Sequence, residues 1–489
     1  MIKGREKEGD FYDGYVYRHL LPEEHILLEI KEKIDFGFVN EELKDLYNLK
    51  YGRPGYLPEV LFKMLFLEYY YGLSDVEVAK QCRYNILYRY FLGLGIKDET
   101  PDDTTLVVFR RRMGEEKLKQ IFERLIDICK EKGLLKRRLK FVDATAIVAD
   151  IAIPNTINLL RQGRKVIVKK ILREKPEYKE ELGRYIETSK EEGIEGLEEE
   201  VKVCEEFLDK VKRDRYSTET EELIEALEEM VKKGGERGKV VSFIDPDARS
   251  GAKNRKERFY GYKAGIAADE SGIVTTVDVM KGNENEGKRL EKVIKEEKGR
   301  GIESEAIVAD RQYSSARNRE VIEKEGMKAY IPNAKTKTKL EEGGFKYQEG
   351  EDVVECKEGK RSSGKTRQMG GKVYRFSTKT CRDCKARASC AGRERRGWVR
   401  IMVSDDYLHY LRSRDEFYEE AQRRRKLIER KIGEAKKWHG LGRARYRGLS
   451  KVKIQVFMTF IVINIKRMIK IMKEGMVRER CQDLALAYG

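Results

Sequence analysis

The chain has 489 residues and a mass of 57.1 kDa, several times the ~150 residues of an ordinary domain. A hydrophobic fraction of 40% rules out general disorder, and 103 Lys and Arg against 86 Asp and Glu leave a net charge of +17, which suits a polyanionic partner, nucleic acid above all. Only four histidines occur (His19, His25, His409, His439), no two of them close in sequence, which argues against histidine-based zinc hydrolases and His-dependent triads.

No apolar stretch follows the first residues, Met-Ile-Lys-Gly-Arg-Glu-Lys, so no secretory signal is expected. The longest nearly apolar run, Ile454 to Ile465, is shorter than the ~18 residues of a membrane helix. A soluble, cytoplasmic protein with no membrane partner follows. Eight cysteines in a reducing compartment read as free thiols or a metal site rather than a disulfide framework.

Residues 1 to about 135 read as helices. Leu57-Pro58 opens a run through Tyr71, Gly72-Leu73 breaks it, and Ser74-Asp75-Val76-Glu77 has the form of a capping box that starts the next. Helix, short turn, helix suits either a helix-turn-helix or a plain bundle. Asp102-Asp103-Thr104-Thr105 caps a further helix, whose Arg110-Arg111-Arg112 faces phosphates or simply water. Leu139–Ala149 is short and rich in β-formers, a predicted strand. From about Thr156 to Gly235 the chain turns charged and helical. Leu197, Val201, Cys204, Leu208 and Val211 step by 4, 3, 4 and 3, a heptad seam, and Ser217-Thr218 caps a second helix, so a self-packed helical hairpin is expected.

Strands return at Phe259–Ala268 and Ile273–Met280, joined by the turn Asp269-Glu270-Ser271-Gly272. A helix at about Glu286–Lys298, a strand Glu305–Ala309 ending at Asp310, a helix at about Ser315–Glu325 and a strand Lys328–Ile331 come next. A Gly/Lys-rich, cysteine-bearing stretch runs to about Arg400, and two long helices close the chain, at about Arg414–Lys437 and Ser450–Lys473. The order describes a mixed α/β core with helices on its faces.

Asp143 and Asp310 sit on or at the end of strands, where carboxylates of an open sheet are placed to hold Mg²⁺, although an aspartate after a strand is often only a turn or cap residue. On the first of the two C-terminal helices, Gln422, Arg425, Glu429 and Lys436 fall at steps of 3, 4 and 7 and share one face. Between Arg393 and Lys451 there are 18 Lys and Arg against 9 Asp and Glu, so about half of the positive excess surrounds that helix.

These residues, in this order, resemble the DDE-type insertion-sequence transposases, most closely the bacterial group whose third acidic residue lies in a Tyr-x2-Arg-x3-Glu-x6-Lys helix. Arg425, Glu429 and Lys436 match that spacing, and Gln422 stands where the family has tyrosine. Asp143 in Asp-Ala-Thr resembles the first aspartate and Asp310 in Ala-Asp-Arg-Gln-Tyr the second. Gly52-Arg53-Pro54, Pro101-Asp102 to Phe109-Arg110, Asp245-Pro246-Asp247-Ala248-Arg249, Gly261-Tyr262-Lys263 and Tyr446-Arg447-Gly448-Leu449 fit as well.

The resemblance implies an α/β, RNase H-like (retroviral integrase-like) core split by insertions. Its divisions would be an all-α DNA-binding domain 1–135, core 136–155, a charged helical insertion 156–240, core 241–333, a Cys-containing insertion 334–400, C-terminal core helices 401–475 and a tail 476–489. It further implies that Asp143, Asp310 and Glu429 hold Mg²⁺ or Mn²⁺, that Arg425 and Lys436 grip DNA, and that a homodimer joins two inverted repeats and a double-stranded target. If one acid pointed elsewhere, Asp245, Asp269 or Glu434 would be the alternatives. A catalytically silent DNA-binding relative and a nuclease without strand transfer are the rival expectations.

Cys356, Cys381, Cys384 and Cys390 present four thiols in one basic stretch, a candidate zinc set. The alternative is four unliganded thiols. Trp398 beside them is a candidate for stacking on a displaced base, or an ordinary edge anchor. Cys82, Cys129, Cys204 and Cys481 read as helix-face residues.

Overall fold

Apolar side chains occupy nearly every position of Pro58–Tyr71, so this helix is buried on almost every side rather than along a stripe. The computed structural model describes residues 11–47, 55–152, 154–187, 193–236, 240, 242–252, 257–333, 340, 343–390 and 399–488, with side chains to 475. The N-terminal helices are α1 (Phe11–Leu20), α2 (Ile26–Lys33), α3 (Gly37–Leu43), α4 (Pro58–Tyr71), α5 (Asp75–Tyr84), α6 (Ile86–Leu92) and α7 (Asp103–Glu131). The expected punctuation is present. Ser74 and Glu77 form both arms of a capping box, and Asp102 accepts from Thr105 N–H to start α7. Arg110, expected on a solvated or phosphate-facing side, is instead buried in ion pairs with Glu68 at 2.9 Å and with Asp75.

The sheet starts with β1 (Leu139–Val148), continues with β2 (Arg249–Ala252), β3 (Arg258–Asp269) and β4 (Val274–Lys281), and adds β5 (Ala306–Ala309) and β6 (Lys328–Tyr330). β1 runs antiparallel to β3 and parallel to β5, and β5 runs parallel to β6. The outer edge of β3 is shared by β2, along Arg258–Gly261, and β4, along Tyr262–Ala268. Gly272, at φ +83, makes the β3–β4 turn as expected. Gly261 has no room for a side chain, since a Cβ would stand 2.2 Å from the Ile147 carbonyl oxygen.

Alternation along the strands gives the sheet two apolar faces. One carries Phe141, Ile147, Ala264, Ile266 and Val308, and belongs to the same buried core as α2 to α7 and the long C-terminal helix. The other carries Val142, Ala267, Ile307 and Ala309, and is covered by α12 (Leu290–Gly299) and α13 (Ala316–Lys324).

Between β1 and β2 lie α8 (Thr156–Glu174), α9 (Lys179–Leu182), α10 (Gly193–Val211) and α11 (Thr218–Lys232). They have their own apolar cluster. The expected two-helix hairpin is therefore corrected to a unit that includes α8, into which the Cys204–Val211 part of the seam is buried. Ser217 stands at the N-cap of α11 as expected, but its hydroxyl makes no capping bond to a backbone N–H; it reaches Glu174 at the end of α8 at 2.6 Å and the Thr220 hydroxyl at 3.1 Å.

The cysteine-bearing stretch, read from sequence without strands, contains β7 (Lys346–Gln348), β8 (Val353–Glu355), β9 (Gly364–Gln368), β10 (Gly371–Phe376), the short α14 (Thr378–Arg382) and β11 (Val399–Ser404). β7 pairs with β8, and β10 with both β9 and β11.

The chain closes with α15 (Asp405–Ser413), α16 (Tyr418–Arg424), α17 (Lys426–His439) and α18 (Leu449–Tyr488). One long helix was expected over 414–437; the structure breaks it at Arg425, and α15 precedes it. The apolar run Ile454–Ile465 lies in α18, where most of it is buried against α4, α7 and β4. Among the described residues no helix is long and apolar enough to cross a membrane.

Candidate active site

Parallel pairing sets the first two carboxylates. Val142 is level with Ala309 in the β1–β5 ladder, so the next residue on each strand, Asp143 and Asp310, stands at the same height on neighbouring strands. Asp143 accepts from Ala144 N–H at 2.8 Å, and Asp310 caps a single 3₁₀ turn by accepting from Gln312 N–H at 2.9 Å.

The third carboxylate arrives on a helix. Gln422, at the end of α16, donates from its amide to the carbonyl oxygens of Tyr330 at 2.5 Å and Ala309 at 3.4 Å, so it reaches the sheet edge just before Asp310. Arg425 sits at the break between α16 and α17. Its guanidinium donates to Asp143 Oδ2 at 3.1 Å and to Glu429 Oε1, one turn on, at 2.5 Å. The loop after α17 is stitched to β1 as well. Val148 N–H donates to Gly442 O at 3.0 Å and Ala444 N–H to Val148 O at 2.8 Å.

The electrostatics follow from this crowding. Burial lifts Asp143 to about 6, with Asp310 and Glu429 pushing the same way, while the Ala144 N–H and Arg425 oppose the rise. Asp310 is raised too, chiefly by burial and also by nearby Glu286. Among the described residues no group of three or more His, Cys, Asp or Glu side chains is closed tightly enough to hold a metal ion. Here the Arg425 guanidinium bridges Asp143 and Glu429. The donor set is hard oxygen and the charge crowded and negative, a setting that fits a divalent cation.

Lys436 is exposed on α17, seven residues beyond Glu429 and so on the same face. Trp398 and Gly52-Arg53-Pro54 lie outside the described residues, as does the side chain of Cys481. The three alternative acids have other partners. Asp245 is buried and receives the Tyr262 hydroxyl and Gly448 N–H. Asp269 builds the β3–β4 turn, accepting from Ser271 and Ile273. Glu434 pairs with Lys431 and Lys466.

Two further residues escaped the sequence reading as parts of this site. Glu286, beside Asp310, is buried and pairs with Lys263 at 2.6 Å. The only hint was Lys263 within Gly261-Tyr262-Lys263.

The cysteines also assemble. Cys356, Cys381, Cys384 and Cys390 line one cavity of about 30 Å³. All four are free and half-buried, and burial followed by the three neighbouring sulfurs pushes the Cys381 thiol up.

Two family models match the chain: a transposase domain (DUF772) over residues 15–112 and the transposase DDE domain over residues 230–465. Asp310 and Glu429 fall inside the second, and Asp143 lies between the two. No curated protein and no solved structure matches. The chain belongs to the DDE-type insertion-sequence transposases.

Proposed function

We propose that this transposase binds the terminal inverted repeats of its element as double-stranded DNA, cuts them and joins them to target DNA. Its core is RNase H-like, with Asp143, Asp310 and Glu429 as ligands for Mg²⁺ or Mn²⁺. The observation that carries the reading is that Arg425 bridges the strand carboxylate of Asp143 to the helix carboxylate of Glu429, with Asp310 near enough for its charge to raise Asp143. The strand order β4-β3-β1-β5-β6, antiparallel through β1 and parallel beyond it, supports the fold assignment. The division into a DNA-binding domain 1–135, a core interrupted at 156–240 and 334–400, C-terminal core helices and a tail belongs to the same proposal.

Divalent ions held by Asp143, Asp310 and Glu429 would supply activation of the attacking oxygen and stabilisation of the leaving one. The residues of this chain do the rest. Asp143 and Asp310, fixed by backbone N–H groups, offer oxygens from two neighbouring interior strands of the sheet. Glu429 offers one from a basic helix. Arg425 grips a phosphate through its planar fork, and Lys436 acts as a point charge two turns beyond Glu429. Trp398 is assigned to stacking on a displaced base, and two protomers are required to hold two ends at once. The cysteine cluster takes no part in this chemistry, and a zinc ion there would be structural.

The test uses labelled element ends with a target plasmid. Joined products are expected from the wild type with Mg²⁺ or Mn²⁺. Asp143→Asn, Asp310→Asn and Glu429→Gln should each abolish cleavage while leaving end binding intact. Cutting without joining would favour a nuclease, and end binding with no metal-dependent cutting a catalytically silent DNA-binding protein.

A further inference from the structure

Three of the cysteines outside the catalytic core are inert core residues. Cys82, Cys129 and Cys204 are fully buried on helices, and burial pushes each thiol up to about 12. The other four described cysteines differ in every respect. They are half-buried, come from two separate segments, and face a single cavity.

The backbone explains how they meet. Cys356 follows β8 at a tight turn closed by Cys356 N–H to Lys360 O and Gly359 N–H to Cys356 O, both at 2.9 Å. Cys381 is on α14, and Cys384 starts a turn in which Arg387 N–H donates to Cys384 O at 3.0 Å. Cys390 follows three residues later. Two chain segments, one giving Cys356 and the other Cys381, Cys384 and Cys390, thus place four sulfurs around one cavity, walled on its apolar side by Phe345 and Phe376.

The surrounding unit has only a small apolar core. Its apolar cluster has few fully buried members, among them Leu340, Phe345, Val354, Tyr374 and Ile401, and all five residues of β9 are exposed. A core this small gains little from burial, and metals or disulfides usually supply the deficit. No disulfide joins these four thiols.

We propose that Cys356, Cys381, Cys384 and Cys390 bind one structural Zn²⁺ as a four-thiolate site. Zinc is favoured over harder ions because the donors are all sulfur. The side chains surround the cavity without being drawn to coordination distance, so binding closes them inward by rotamer changes to Zn–S distances of about 2.3 Å. Each thiol gives up its proton to solvent on binding, and no oxidation is involved. Lys360 and Arg387, also at the cavity, are placed to favour the thiolates.

The site has a mechanical consequence. β11 leads through the Ser404 cap directly into α15. Asp405 is clasped by both terminal nitrogens of Arg367, at 2.5 and 2.9 Å. Asp406 binds the buried Arg319 of α13 at 2.8 Å and Ser314 at 2.9 Å. α13 begins shortly after Asp310. A zinc-held unit therefore anchors the segment that follows the second aspartate, and this holds whatever reaction that aspartate serves.

The test uses the full chain, purified reduced and never exposed to chelator. Elemental analysis is expected to give one zinc per chain, absent from Cys381→Ser and Cys384→Ser and retained in Cys204→Ala. Replacing the metal with Co²⁺ in the wild type should give the strong d–d and thiolate charge-transfer bands of a tetrahedral sulfur site, a readout that does not depend on the variants folding. Hydrogen exchange should rise across 343–390 when zinc is removed. A wild type without zinc, variants that keep it, Co²⁺ bands without sulfur character, or a Cys381–Cys384 disulfide in its place would each overturn the proposal.

Discussion

Arg425 and Asp143, 282 positions apart in the chain, are joined by a 3.1 Å ion pair, and the same guanidinium holds Glu429 at 2.5 Å. Under the proposed function, the cation competes for the carboxylates that a divalent metal would need. Its removal has two expected effects of opposite sign. In the DNA-free chain, Arg425→Gln should bind Mn²⁺ more tightly, on the order of tenfold, since an opposite charge within a few ångströms shifts a carboxylate by about a unit or more. Cleavage should fall, because the phosphate grip is lost. Calorimetric titration with Mn²⁺ decides it, and weaker binding by the variant would show that Arg425 supports the metal ligands instead of competing with the metal.

Asp143 makes stability depend on pH. Its carboxyl sits at about 6 when folded, against ~3.9 in an unfolded chain, so the folded protein holds the proton more tightly. The stability it contributes is complete below about pH 4 and is lost as pH rises through about 6. In chelator at pH 8, Asp143→Asn should therefore melt above the wild type, by up to roughly 2–3 kcal/mol, and the difference should vanish near pH 4. Adding Mg²⁺ at pH 8 should raise the wild type alone. A variant less stable at both pH values would refute the charge argument.

Gln422 positions the break that carries Arg425, through its amide bonds to Tyr330 O and Ala309 O. Gln422→Ala leaves those carbonyls without that donor at a cost of about 1–2 kcal/mol. The expected phenotype is a reduced cleavage rate with DNA binding unchanged. Single-turnover kinetics at saturating DNA separate the two, and a wild-type rate would make Gln422 a mere anchor.

Arg110→Met should destabilise the chain by about 3 kcal/mol, because it strips Glu68 of its closest cation in a buried setting. Arg445, at 3.4 Å from the other Glu68 oxygen, compensates only in part. Pairing the change with Glu68→Gln should recover much of the loss in denaturant unfolding. No recovery would mean that Arg110 acts mainly through Asp75.

If the proposed function holds, recognition of the element ends is expected of α5. It packs through Val78 and Cys82 and leaves Val76, Lys80, Gln81, Arg83 and Tyr84 exposed, the form of a recognition helix after the Gly72 turn. Because the N-terminal helices share one core with α18, the test belongs in the full chain. Lys80→Ala and Arg83→Ala should weaken binding to all duplexes and lower the salt slope by about one each, whereas Gln81→Ala should erode only the preference for the element's end. Unchanged binding in all three would move recognition to the basic face of α17.

Much of the site could be read from the residues because its rules are local. The Ser74–Glu77 box, the Asp102 cap and the Gly272 turn each depend on groups within four residues of one another, and Arg425-x3-Glu429 is one helical turn. The β-rich run Leu139–Ala149 is likewise visible as a strand. Tertiary structure alone decided the rest. Arg110 looks like a solvated cation until α4 and α5 close over it. Gln422 looks like a substituted position until its amide reaches two strand carbonyls. The expected long helix is interrupted at Arg425, the residue that bridges Asp143 and Glu429. β7 and β9 are short and largely polar, so pairing with a neighbour, not side-chain pattern, makes them strands, whereas β11 does alternate, burying Val399, Ile401 and Val403. Periodicity and capping encode what a segment prefers by itself, and contacts between residues hundreds of positions apart leave no trace in local spacing.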